Sequence, residues 1–67
     1  MLIEVVKGTY INPIHVTRLS YRERQNDGKY NLDIWVLGDN ANIEIIKDNL
    51  DEVLELIEIL GRNSNQD

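Results

Sequence analysis

His15 is the single histidine of the chain, and Thr9, Thr17 and Ser20 are the hydroxyls that could serve beside it as a nucleophile. None of them stands in a nucleophile motif, and the chain contains no glycine-rich phosphate loop. A motif-free histidine just after Pro13-Ile14 reads as a surface or interface residue. Asp39-Asn40-Ala41-Asn42-Ile43-Glu44 places oxygen donors at alternate positions, as a calcium loop does. It lacks the glycine at the sixth place and the distant bidentate glutamate, and Asp and Asn are equally the residues of a hairpin turn. With no cysteine, a zinc site would rest on His15 and carboxylates alone. The expectation is a protein that is not an enzyme and holds no metal and no cofactor.

A different chemistry is written in Arg18, Arg22 and Arg24, which share one alternation phase if they lie on a regular strand. Tyr21 and Tyr30 are close to them in sequence, and basic groups interleaved with aromatics bind nucleotides or single-stranded nucleic acid. These five residues form the candidate anionic-ligand site. The competing reading is a charged strand edge that discourages aggregation, or one that pairs with the acidic helix of another subunit.

Net charge favours the competing reading. The total is −5, which argues against general nucleic-acid binding because that depends on phosphate neutralisation. Residues 1–30 carry five basic and three acidic groups, whereas residues 31–67 carry two basic and nine acidic ones. Such bipolarity can order subunits head against tail or steer the chain toward a basic partner. A chain of 67 residues is one domain with little room for a core, and domains near this size bury only about 60% of the surface that their unfolded chain exposes. Small folds add disulfides, a metal or a partner subunit. The absence of cysteine removes the first and fits a reducing cytosol, so the expectation is a cytoplasmic homo-oligomer, a dimer or larger, with no membrane span.

The elements that position these groups follow from punctuation and periodicity. Residues 2–6 are apolar and β-branched and end at Gly8, so they read as a first strand. Asn12-Pro13 marks a turn or the start of an edge strand. Residues 14–23 read as a second strand whose alternation changes phase, which predicts a β-bulge near Thr17-Arg18 or apolar contacts on both faces. Asp27-Gly28 supplies the positive φ of a tight hairpin, and residues 30–37 follow as a third strand. Tyr30, Leu32, Ile34 and Val36 would line one face of it, and Asn31, Asp33, Trp35 and Leu37 the other. After a turn at residues 38–41, residues 42–47 read as a fourth strand.

Asn49 followed three positions later by Glu52 resembles a capping box, and the run 50–60 is an amphipathic helix with Gly61 as its C-cap. Residues 61–67 then form a flexible polar tail beyond a compact unit of residues 1–60. The fold expected is α+β, a small four-stranded antiparallel meander followed by one C-terminal helix. Its core would contain Ile3, Val5, Ile14, Val16, Leu32, Ile34, Val36, Ile43, Ile45, Leu50, Val53, Leu54 and Ile57. Trp35 and Leu37 on the third strand, with Leu56 and Ile59 on the helix flank, are then left over. They form the expected protein interface, with Glu55 and Glu58 steering a basic protein partner.

Tyr10-Ile11-Asn12-Pro13-Ile14-His15-Val16, a strand pair, and Ile43 to Val53 leading into an apolar helix resemble the FlbD family of small flagellar and swarming-motility proteins. Members of that family show a hydrophobic-Asn-Pro segment, a strand pair and a V-x-E-S-x-x-E-V approach to the last helix. Here Asp48-Asn49 stands where the family favours Glu-Ser, and the hairpin from Arg22 to Lys29 is longer. The resemblance implies a non-enzymatic, motility-related regulator and brings no catalytic residues. The function expected is therefore a small intracellular binding or regulatory protein. The alternatives are a nucleic-acid or nucleotide binder using the Arg/Tyr set, and a phage- or mobile-element-encoded inhibitor of a host protein.

Overall fold

Gly8, at φ +87°, lets the chain reverse directly after its first strand. β1 (Ile3–Val6) and β2 (Thr9–Ile11) consequently pair as an antiparallel ribbon, with Ile3 facing Ile11 and Glu4 facing Tyr10. A register shift between Glu4 and Val6 marks a bulge in β1. A computed structural model describes residues 1–64 of the chain. Asn12 is extended, as the residue before a proline must be, and its side-chain oxygen accepts the Ile14 N–H at 3.2 Å. This caps a short 3-10 turn, Pro13–His15, which ends the ribbon and redirects the chain.

β3 (Val16–Glu23), β4 (Tyr30–Val36) and β5 (Ile43–Lys47) form a second, antiparallel sheet with β4 in the centre. The register shifts between Val16 and Arg18, at the position where the change of alternation phase predicts a bulge. At the β3–β4 turn, Gly28 takes φ +72°, and the Asp27 carboxylate accepts the Lys29 N–H at 3.0 Å. The architecture is α+β as expected, but the single four-stranded meander is corrected to two sheets, one of two strands and one of three. The cause is local: residues 9–11 fold back on β1, and the proline turn delays the next strand until Val16.

α1 (Leu50–Ser64) opens on a reciprocal cap. Glu52 N–H donates to Asn49 Oδ1, and Asn49 Nδ2 donates to Glu52 Oε2, both at 3.0 Å. Gly61 does not end the helix, which continues to Ser64. Arg62 pairs with Glu58 at 2.6 Å, and Asn63 Nδ2 donates to the Ile59 carbonyl at 2.8 Å, so the last turn is held in place. The polar tail expected from residue 61 is corrected accordingly for 61–64, and its remainder, 65–67, lies outside the described residues.

Val5, Ile11, Leu32, Ile34, Ile45, Val53, Leu56 and Leu60 form one buried cluster shared by ribbon, sheet and helix. Ile3, Val16, Val36, Ile43 and Ile57 pack on its margin, and Leu50 is half-buried. Two expected core residues are corrected. Ile14 lies 54% exposed on the 3-10 turn, and Leu54 is 43% exposed on α1. The helix is rotated so that Leu56 and Leu60 point inward, because the 3-10 turn packs on α1 along with the three-stranded sheet. Ile11 is a core residue that the alternation pattern did not single out, and Leu60, which helical periodicity places on the apolar arc, joins it in the core.

Candidate interaction surfaces

The three-stranded sheet has two faces of opposite character. Leu32 and Ile34 point into the core, whereas Asn31, Asp33 and Trp35 point to the other side. Antiparallel partners share a face, so Arg18 lies opposite Trp35, Ser20 opposite Asp33 and Arg22 opposite Asn31 on that outer side. Glu44 and Ile46 of β5 complete it as the partners of Asp33 and Asn31.

Asn31 is 2% exposed and Asp33 8% exposed, although their face carries polar residues on all three strands. Neighbouring side chains satisfy them. Arg24 Nη1 donates to Asn31 Oδ1 at 3.4 Å, and Asn31 Nδ2 donates to Glu44 Oε2 at 2.7 Å. Asn42 Nδ2 donates to Asp33 Oδ1 at 2.8 Å, and Arg22 Nη1 lies 3.8 Å from Asp33 Oδ2. Buried polar groups need such partners. At the far end of the face the Arg18 guanidinium stacks on the Trp35 ring.

The candidate anionic-ligand set is thereby divided. Arg18, Arg22 and Arg24 do lie along one side, but Tyr21 pairs with Leu32, and Tyr30 pairs with Glu23 and Lys47, on the opposite face. The expected Arg/Tyr stripe is corrected, because adjacent strand residues alternate sides whatever their closeness in sequence. Trp35 is the aromatic residue that joins the arginines. Arg24 Nε lies 3.2 Å from Asp27 Oδ1, so two of the three arginines already face carboxylates. An open depression of about 570 Å³ beside Arg22, Arg24 and Asn31 also has Glu23 and Glu44 in its wall. Its charge is mixed, which gives an anion no clear preference for it.

The solvent face of α1 is acidic with apolar gaps. Leu54, Glu55, Glu58 and Ile59 line an open groove of about 480 Å³, with Asp51 and Arg62 at its ends. Ile59 is half-buried, and Glu55 and Glu58 are exposed. Leu56 is corrected from interface to core, at 8% exposed, and Leu54 takes its place on the surface. Trp35 is half-buried beneath Arg18, and Leu37 is 70% exposed. The Leu37 N–H donates to the His15 carbonyl at 2.8 Å, which ties Leu37 to the 3-10 turn and its exposed Ile14.

His15 is exposed, and the Thr17 hydroxyl donates to the Trp35 carbonyl at 3.2 Å. Among the described residues no group of three or more His, Asp or Glu side chains gathers in a way that could hold a metal ion. No helix among them is long and apolar enough to cross a membrane.

No family model matches the chain. Neither the curated proteins nor the solved structures contain a match.

The surface that sequence reasoning missed is the outer side of the β1–β2 ribbon, where Leu2 and Tyr10 are 64% and 57% exposed. Its signal was present in the β-branched and aromatic run on either side of Gly8, which is the pattern of a tight hairpin.

Proposed function

We propose that this is a small, non-enzymatic binding or regulatory protein that works in the cytoplasm through protein–protein contact, as a homo-oligomer. One observation carries the reading. Among the described residues eight hydrophobic side chains form the buried core, and nine large ones are exposed: Met1, Leu2, Val6, Tyr10, Ile14, Tyr21, Leu37, Ile46 and Leu54. Single exposed hydrophobes are ordinary, but an excess of them over the core in a domain of marginal size favours burial against another chain. Trp35, Leu37 and Ile59 remain the proposed contacts to a protein partner, with Glu55 and Glu58 favouring a basic one. Motility regulation is part of this proposal, and its support is the sequence resemblance to FlbD proteins.

Sedimentation velocity of the purified chain over a wide concentration range tests the self-association. A complex heavier than the 7.8 kDa chain is expected, and a monomer at every concentration sinks the proposal.

A further inference from the structure

We infer that the β1–β2 ribbon is an exchangeable arm, which leaves its seat as a unit about Asn12 and takes the same seat on a second copy of this chain. The inference rests on the self-association proposed above and goes beyond it by naming the segment that passes between copies. β1 pairs with β2 alone, in a sheet separate from β3–β5, and the Gly8 N–H donates to Glu4 Oε2 at 2.9 Å within the ribbon. Among the described residues no hydrogen bond and no ion pair ties residues 1–11 to the rest of the chain. What holds the ribbon down is apolar. Val5 and Ile11, at 2% and 6% exposed, join Leu32, Ile34, Val53, Leu56 and Leu60 in the buried cluster, with Ile3 at its margin.

The pivot is equally well marked. Asn12 is the single residue between β2 and the 3-10 turn, and it is extended at φ −95° and ψ 115°. Pro13 keeps it in that region of backbone space, which is the conformation that an arm reaching toward a neighbour requires. Pro13 itself is buried, and its turn packs on α1, so the body side of the pivot stays fixed.

The occupant of a vacated seat is visible in the closed molecule: it is a ribbon of this sequence. A bare seat would expose the apolar cluster to water, which is unfavourable. A second copy's ribbon restores every apolar contact, breaks no hydrogen bond and alters the backbone only around Asn12. Exchange of identical elements is for this reason a low-cost route to dimers, and protein concentration sets its extent.

The test mixes isotope-labelled and unlabelled chain, unfolds them together in urea and refolds them. Sedimentation velocity then gives the mass, and isotope-filtered NOE spectra give the contacts between copies. The expected result is a dimer in which the Val5 and Ile11 methyls of one copy meet core methyls of α1 in the other. Both residues are buried in the closed chain, so packing of closed copies surface to surface cannot produce those contacts. A dimer whose Val5 and Ile11 contacts all lie within one copy overturns the exchange and leaves self-association standing on another surface. A monomer at every concentration overturns both.

Amide hydrogen exchange checks the opening itself. A detached two-stranded ribbon keeps little structure, so amides of β1 and β2 should exchange at least about tenfold faster than those of β4. Equal rates overturn the arm, because the ribbon would then leave its seat only when the whole fold comes apart.

Discussion

The Arg18 guanidinium carbon sits 4.5 Å from the centre of the Trp35 ring, and the two residues are register partners on neighbouring strands. A cation over an indole at this distance is attracted by the ring quadrupole. Because Arg18 is exposed, the pair is worth only about 0.5–1 kcal/mol. A double-mutant cycle with Arg18→Ala and Trp35→Ala, read by urea denaturation, should return a coupling energy in that range. A coupling near zero would mean that the arginine is merely lying across the ring.

Leu56 and Leu54 differ by two positions and should behave as opposites. Leu56→Ala removes a side chain from the buried cluster and should cost about 2–5 kcal/mol. Leu54→Ala removes one that is 43% exposed and should stay within about 0.5 kcal/mol in the monomer. Denaturant midpoints at matched slopes decide this, and equal losses would contradict the helix rotation described above.

The cap at Asn49 offers a third check. Replacing it with alanine removes the acceptor for the Glu52 N–H together with the donor to the Glu52 carboxylate. A loss of about 1 kcal/mol is expected, since the first turn would keep only water for its free N–H groups. Asn49→Asp should recover only part of that loss, because it keeps the acceptor at the helix N-terminus but sets a second carboxylate against Glu52.

Asn31→Ala should cost about 1–3 kcal/mol, the penalty for stranding polar partners in a covered site. It would leave Glu44 and Arg24 without the amide between them. Thermal melting measures the loss. A neutral outcome would show that water serves Glu44 as well as Asn31 does.

Features set by neighbours in sequence were legible before the fold was known. The Asn49–Glu52 cap, the Asp27-Gly28 turn, the bulge at Thr17 and the alternation of β4 each depend on a few adjacent residues, and each is found in place. What could not be read depends on distant cover. The rotation of α1 that buries Leu56 and exposes Leu54 follows from the 3-10 turn packing beside it, and nothing within the helix itself encodes that neighbour. The same holds for Asn31 and Asp33, whose partners Arg22, Arg24, Asn42 and Glu44 come from other parts of the chain. Among the site residues, the shared side of Arg18, Arg22 and Arg24 was legible from phase. Tyr21 and Tyr30 are near them only along the chain, and strand geometry does not respect that proximity.

The β4 strand is enclosed on both sides by incompatible materials: hydrocarbon on one, a cross-linked set of amides, carboxylates and guanidinium groups on the other. Slipping it by a single residue would drive Asn31 and Asp33 beneath the helix and lift Leu32 and Ile34 into the polar side, so both sides would be penalised at once. Misalignment of the sheet is therefore refused twice over. For so short a chain, this makes the central strand an alignment key as well as part of the core.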